Sequence, residues 1–257
     1  MPSSLKNSLA AATRITVLSG AGLSTESGIP DFRSPGGTWE RYQPVDFYEF
    51  LARPGARREH WRYKSDTWKA FKAAQPNAGH AALLRLHQAG KLQGVITQNI
   101  DGLHQRSGLP EARILEIHGS NRVIHCVGAV AAGLPGGPPQ DCGYTEDAAA
   151  LHARLSDPYD WPPCPRCGSW LKPATVMFGQ PMPAQAVLQA TDWALQCDLF
   201  LVLGSSLLVS PANQLPLRAK FNGAKLVVLN RDPTPVDAKA DLVLHDSLGA
   251  LLAEAIP

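Results

Sequence analysis

The sequence predicts a doubly wound α/β fold: a parallel sheet between helices, interrupted by a helical excursion and by a small cysteine-bearing insert domain. Three observations predict it. Six apolar runs, near-continuous in Val, Ile and Leu, read as strands covered on both faces. Stretches with apolar residues at helical spacing lie between them. Four of the runs end in small or polar residues suited to chemistry, at the position where an open α/β sheet receives its ligands.

The segment up to Arg14 holds Lys6, no acids and several Ser, Thr and Ala; it reads as a short surface helix rather than a targeting segment. Ile15–Leu18 is the first strand, and Gly20-Ala21-Gly22 follows at once. A strand, then glycines, then a helix start brings backbone N–H groups and a helix dipole onto a phosphate. Gly20 and Gly22 permit a tight turn where a Cβ would intrude on a ligand. Residues 36–75 are rich in Trp, Tyr, Arg and Phe and read as the helical excursion, with Arg53, Arg57, Arg58, Arg62 and Lys64 on a solvated face. His80–Leu86 has helical spacing, and Gly94–Asn99 and Ile114–His118 are strands. Residues 122–172 carry four of the five cysteines, and the run Gly128–Pro139, all Ala, Gly, Pro, Val and Leu, reads as a loop. A helix at Ala184–Leu195 and strands at Leu199–Gly204, Leu226–Asn230 and Leu242–Leu244 complete the alternation. The expected division is a Rossmann-type domain over 14–35, 76–121 and 173–257, a helical excursion at 36–75 and an insert at 122–172.

Composition removes several classes. The 257 residues include 24 Lys and Arg against 22 acids, a net charge of +2, which gives no strong field for nucleic acid or an anionic membrane. No apolar run reaches the ~20 residues that span a bilayer, and a cytoplasmic location is expected. Five cysteines in so long a chain do not build a disulfide scaffold, and Cys164-Pro165-Arg166-Cys167 has the spacing of half a zinc site. Cys197, at a strand start, reads as a buried apolar filler.

The chemistry-bearing strings are Gly20–Arg33 with its ending Pro30-Asp31-Phe32-Arg33, Thr97-Gln98-Asn99-Ile100-Asp101-Gly102-Leu103-His104, His118-Gly119, Cys164-x-x-Cys167, Lys172-Pro173 through Val176-Met177-Phe178-Gly179, and Gly204-Ser205-Ser206-Leu207. Singly, each has an ordinary structural explanation as a turn, a cap or a buried strand. In this order they resemble the sirtuins, the NAD-dependent protein lysine deacylases, from about Ile15 to Leu251, and the chain looks like a bacterial-type member with one catalytic domain.

The resemblance implies roles. Gly20, Ala21 and Gly22 approach the NAD pyrophosphate, with Ser24 beside them, and Asp31, Phe32 and Arg33 flank the nicotinamide ribose. Gln98 and Asn99 hold ribose hydroxyls and water. Asp101, with the Ile100 backbone, receives the nicotinamide carboxamide. Gly204, Ser205 and Ser206 cover phosphate and ribose, and Asn230 and Arg231 the adenosine ribose. The acyl-lysine oxygen attacks the ribose carbon, nicotinamide leaves, and an O-alkylimidate forms. His118 is the general base for the steps that follow, a task suited to an imidazole of ordinary pKa about 6.5. The acyl group departs on ADP-ribose, so NAD is consumed as a co-substrate. Val176, Met177, Phe178 and Gly179 pair with an acylated protein or peptide by strand addition.

Two departures from the sirtuin pattern stand out. The first Cys-x-x-Cys knuckle is broken: Ala129 stands where a cysteine is expected after Cys126, and family-like text resumes at Cys142. An inserted loop between two surviving ligands accounts for this, leaving Cys126, Cys142, Cys164 and Cys167 for one structural zinc. His125 is a conceivable substitute, but it adjoins Cys126. The second departure is in the acyl pocket. Relatives preferring acidic acyl chains carry Tyr-x-x-Arg where this chain has Trp61-Arg62-Tyr63-Lys64. Lys64 offers a point charge without a bidentate fork, so a neutral acyl group such as acetyl is expected, with Trp61 and Lys64 lining the pocket. Two other readings stay open: ADP-ribosyl transfer or NAD hydrolysis at the same site, and a non-catalytic NAD-sensing module.

Overall fold

A computed structural model describes residues 2–128, 142–155, 157, 159 and 161–256. The chain divides into two compact units: Met1–Phe32, Ala74–Ile117 and Met182–Pro257 form the first, and Arg33–Ala73 with His118–Pro181 the second. Relative to the boundaries expected from sequence, the first unit ends at Phe32 and Ile117 and resumes at Met182. The helical excursion and the cysteine-bearing insert make one unit rather than two separate additions.

The first unit holds, among the described residues, a parallel sheet of β1 (Ile15–Ser19), β2 (Leu92–Thr97), β3 (Ile114–Glu116), β7 (Leu199–Leu203), β8 (Lys225–Leu229) and β9 (Leu242–Leu244). Its order is β3-β2-β1-β7-β8-β9. Side chains alternate across the sheet, and both faces are covered. Ile15, Val17, Val95, Leu201 and Val227 enter one core with Leu5, Leu83 and Leu252. Leu18, Ile96, Phe200, Val202 and Val228 enter the other with Ala190, Ala194 and Leu215. Two buried faces are why the strands read as unbroken apolar runs.

Helices α1 (Pro2–Ala11), α5 (Ala78–Gln88) and α10 (Leu248–Ala255) supply the first core, and α8 (Ala184–Gln196) and α9 (Leu215–Phe221) the second. The N-terminal segment is thus a helix as expected, anchored by buried Leu5 and Leu9. Asn77 starts α5 with a capping box, its Oδ1 accepting from the backbone of Gly79 and His80.

The second unit contains α2 (Thr38–Arg41), α3 (Phe47–Ala52), α4 (Pro54–Ala73), α7 (Ala148–Arg154) and an antiparallel sheet. That sheet has the order β5-β4-β6, from β4 (Gly119–Cys126), β5 (Thr145–Asp147) and β6 (Leu171–Thr175). Trp61, Ile124, Leu151 and Leu171 gather around the cysteines; Phe47, Phe50, Leu51, Val127 and Met177 form a second cluster. Of the residues expected on a solvated face, Arg53, Arg58 and Arg62 are exposed, whereas Arg57 is partly buried and Lys64 buried. The Arg57 guanidinium lies over the Trp170 ring and donates to the carbonyls of Phe50 and Leu51, and Lys64 is buried. The expected loop at 128–139 lies, beyond Gly128, outside the described residues.

Candidate functional site

Parallel strands deliver Gly20, Gln98, Gly204 and Asn230 to one edge of the sheet. Gly20 and Gly22 abut Gly204: a Cβ on Gly20 would fall 2.6 Å from Gly204 O, and one on Gly22 2.8 Å from Gly204 Cα. Gly204 itself has φ +61. Backbone packs on backbone there, and the pairs Gly20 N–Leu203 O and Gly22 N–Gly204 O, both 2.9 Å, lock it. The helix start expected after these glycines is corrected. Two short 3-10 turns, Ala21–Leu23 and Thr25–Ser27, occupy the segment, and Gly28 at φ +83 followed by Pro30 prevents a longer helix.

Asn99 and Asp101 are built into this turn. Asn99 Nδ2 donates to Gly20 O at 3.0 Å and to Ser24 Oγ at 3.1 Å. Ser24 Oγ in turn donates to Asp101 Oδ2 at 2.7 Å, while Asp101 Oδ1 accepts from the N–H of Leu103, the first residue of α6 (Leu103–Arg106), at 2.9 Å. Asn99 and Asp101 are both buried. Gln98 Nε2 donates to Ser205 Oγ at 2.8 Å, joining β2's end to the loop after β7. At the next strand end Asn230 donates to Asp232 O, and Arg231 lies 3.8 Å from Asp31. The structure therefore brings Gly20, Gly22, Ser24, Gln98, Asn99, Asp101, Gly204 and Ser205 into one bonded group, with Ala21 and Ile100 inside the same turns and Ser206 next to Ser205. Arg231 is exposed and faces the partly buried Asp31, and Phe32 ends the first unit.

Beneath Asn99 runs a polar chain that sequence reading missed. The backbone N–H of Asn99 donates to Thr97 Oγ1 at 3.0 Å, Ser19 Oγ donates to the same Thr97 oxygen at 2.8 Å, and His104 Nε2 lies 2.9 Å from Ser19 Oγ. With Ser19 donating onward, His104 is the neutral Nε2–H tautomer. Burial, reinforced by His80, lowers the His104 pKa to about 3, and burial lowers His80 to about 4. Each residue is ordinary alone; the available signal was that Ser19 and Thr97 end β1 and β2.

In the second unit His118 and Arg33 are the expected site residues next to the chain crossings. His118 O accepts from Val176 N at 2.8 Å, and Gly119, at φ +74, sits where a Cβ would collide with Ala174 O. Val176–Gly179 follows β6 and leads into a turn closed by Gln180 N donating to Met177 O at 3.0 Å. Phe178 bridges Asp46, accepts from Phe47 N at 2.8 Å and leaves its ring 48% exposed beside Trp39. Met177 is buried, and Gly179 (φ +77) rests on the Asp46 carboxylate.

The acyl-pocket expectation needs correction for Trp61. Its ring stacks on Trp161, centroids 3.3 Å apart, inside the cysteine-side core, so packing occupies it. Lys64 is no free point charge either: its Nζ is buried and donates to Asn121 Oδ1 at 3.1 Å, and burial lowers its pKa to about 7.

Cys126, Cys142, Cys164 and Cys167 converge, all four Sγ atoms within 4.8 Å of one another. Cys126–Cys167 and Cys142–Cys164 approach to 3.5 and 3.6 Å without a disulfide. Zn–S bonds of about 2.3 Å in a tetrahedron require S···S near 3.8 Å, so the set fits zinc. Cys126 N donates to Tyr144 O, which joins the two parts of the broken half, and Arg166 Nη1 donates to Cys142 O at 2.6 Å, which ties that half to the intact one. His125 stands opposite Lys172 in the register, one residue off Cys126 and thus on the other face. Cys197 is buried, its Sγ donating to Ala194 O, as expected of a filler.

Residues 20–211 match the Sir2 family. The chain is 45% identical over 248 residues to an NAD-dependent protein deacetylase of Rhodopseudomonas palustris, covering 96% of this chain and 93% of that protein. It is 36% identical over 249 residues to NAD-dependent protein deacylase 2 of Archaeoglobus fulgidus, covering 96% and 92%. Among solved structures, a Sir2 complex with p53 peptide and NAD+ matches with TM-score 0.84 at 32% identity, covering 98% of this chain and 95% of that one. Sir2Tm bound to a propionylated peptide matches with TM-score 0.81 at 32% identity, covering 97% and 94%.

Proposed function

The chain belongs to the Sir2 family and is an NAD-dependent protein deacylase; we propose that its residues divide the chemistry as follows. The glycine turn of Gly20, Ala21 and Gly22 approaches the NAD pyrophosphate. Gln98, Ser205 and Ser206 serve ribose and phosphate oxygens, Asn230 and Arg231 the adenosine ribose, and Asp31, Phe32 and Arg33 flank the nicotinamide ribose. Asp101 keeps lone pairs beyond those given to Ser24 and Leu103, and with the Ile100 backbone it accepts the carboxamide N–H of nicotinamide. Asn99 orients the attacked ribose and its water.

The acyl-lysine oxygen bonds to the ribose carbon as the bond to nicotinamide breaks. His118 acts after that departure. It takes the proton from the ribose hydroxyls, so that a hydroxyl oxygen attacks the acyl carbon; water then enters, free lysine leaves, and the acyl group stays on ADP-ribose. The four thiolates hold zinc as a closed set with no open position, so the ion shapes the insert and takes no part in the reaction.

An acylated peptide pairs along Val176–Gly179, supported by the β-bridge at Phe178 and the exposure of that residue. A neutral acyl group such as acetyl suits this chain, because Asn121 already engages the Lys64 side chain. Among the described residues no helix is long and apolar enough to cross a membrane.

The observation that carries this reading is the buried Asn99–Ser24–Asp101 chain. It holds an amide and a carboxylate in fixed orientation at the strand ends, which phosphate binding alone does not require. The test is nicotinamide release from NAD with and without an acetyl-lysine peptide. Release that depends on the acyl group is expected; equal release without peptide indicates NAD hydrolysis instead.

A further inference from the structure

The mechanism leaves Lys172 unused, yet among the described residues it is the most deeply buried lysine of the second unit, with no exposed surface, and burial, reinforced by Lys64, lowers its pKa to about 7. Its Nζ donates to Pro173 O at 2.8 Å and to Thr175 O at 2.6 Å, and lies 3.4 Å from His125 Nε2: three acceptors for three N–H groups. The need for it arises in the sheet. Between Ser120 and Ile124, β4 inserts Asn121, Arg122 and Val123 opposite the single step from Ala174 to Pro173 on β6. The ladder breaks there, and the Lys172 ammonium takes β6 carbonyls beside the break. Lys64 reaches the same insertion through Asn121.

One peptide group links Lys172 to the site. The carbonyl of Thr175 accepts from Lys172, and the N–H across the same peptide bond, that of Val176, donates to His118 O at 2.8 Å. A cationic donor on the carbonyl polarises the peptide and strengthens its N–H as a donor. An apolar side chain of similar length would leave the Pro173 and Thr175 carbonyls without this donor, so Lys172 also supports the sheet, and only a readout that separates the two chemical steps distinguishes positioning from support.

We propose that Lys172 is a positioning residue for His118, acting through the Thr175–Val176 peptide group. The proposal rests on His118 being the base that works after nicotinamide departs. It separates two activities of the full-length protein. Exchange of labelled nicotinamide into NAD, in the presence of acetyl-lysine peptide, needs only the first step; deacetylation needs both.

Both activities are read for wild type, Lys172→Met and Lys172→Arg, with thermal melting and zinc content alongside. Lys172→Met is expected to keep exchange within about threefold and to lose deacetylation about 10–100-fold, the range that small misplacements of reacting groups produce. Lys172→Arg, which keeps a cationic donor but not its point geometry, is expected between wild type and the Met variant in the ratio of the two activities. Equal loss of both activities in Lys172→Met, or no loss, overturns the positioning role and leaves the deacylase reading standing. If Lys172→Met does not accumulate as folded protein, Lys172→Arg decides: a lowered deacetylation-to-exchange ratio supports the proposal, and a wild-type ratio overturns it. A wild type lacking both activities overturns the proposal together with the reading beneath it.

Discussion

Ser24 donates its hydroxyl to Asp101 Oδ2 at 2.7 Å, a bond that spans 77 residues of sequence and ties the glycine turn after β1 to the loop after β2. The same hydroxyl oxygen accepts from Asn99, so a rigid polar surface exists before any ligand arrives. Preorganised groups of this kind avoid reorganisation during the reaction.

Asp101→Asn weakens nicotinamide cleavage and nicotinamide inhibition together. The neutral amide loses the charge-assisted contact to the carboxamide, worth about 1.5–3 kcal/mol. Steady-state deacetylation with nicotinamide titration checks this; unchanged turnover and unchanged inhibition move the nicotinamide pocket elsewhere.

His118→Ala lowers deacetylation about 10²–10⁴-fold, the usual worth of a general base, while NAD affinity measured by calorimetry stays within about threefold. Near-normal turnover removes His118 from the role of base.

The buried histidines predict an acid limb in stability. His104 and His80 fall from an ordinary 6.5 to about 3 and about 4 in the folded chain, so the unfolded chain binds more protons between those values and pH 6.5. Their contribution is complete above pH 6.5 and declines as pH drops toward 3, by up to about 1.4 kcal/mol per pH unit for each group. Urea midpoints at pH 7.5 and 5 read this. Replacing His104 by Gln, which keeps an N–H toward Ser19, is expected to flatten the difference; an equal pH dependence in the variant refutes the assignment.

Cys142→Ala leaves three thiolates and releases the metal. Structural zinc contributes on the order of 10 kcal/mol in small modules, whereas lengthening a loop costs only about 0.6 kcal/mol per doubling, so the wild type holds zinc despite the insertion. Elemental analysis of wild type and variant tests this: one zinc per wild-type chain is expected, and equal retention by Cys142→Ala excludes Cys142 as a ligand.

The sheet and most of the strand-end group were legible because they combine two strong signals: unbroken apolar runs, and chemistry-bearing residues where those runs stop. Cys142 was legible from the text resuming after it. The turn after Gly22 was misread because glycine spacing indicates close approach without saying whether an α-helix or 3-10 turns follow; Gly28 and Pro30 were the deciding residues. Trp61 was assigned to a pocket by its offset in a motif, whereas its ring has Trp161, far along the chain, as partner. The link from Thr97 through Ser19 to His104 was hidden because hydroxyls at strand ends and a histidine in a short helix are common, and only the fold shows them bonded in series. Lys172 was hidden for a related reason. Lysine is ordinarily exposed, and its burial follows from a register break that residue types do not announce.

The central claim is that acyl transfer to ADP-ribose consumes NAD. Mass spectrometry of the products from wild-type protein, NAD and a panel of acyl-lysine peptides tests it most directly. Free lysine peptide, nicotinamide and O-acyl-ADP-ribose are expected in equal amounts, with acetyl among the best acyl groups. ADP-ribose without the acyl group, ADP-ribose attached to the peptide, or reduced NAD would contradict it.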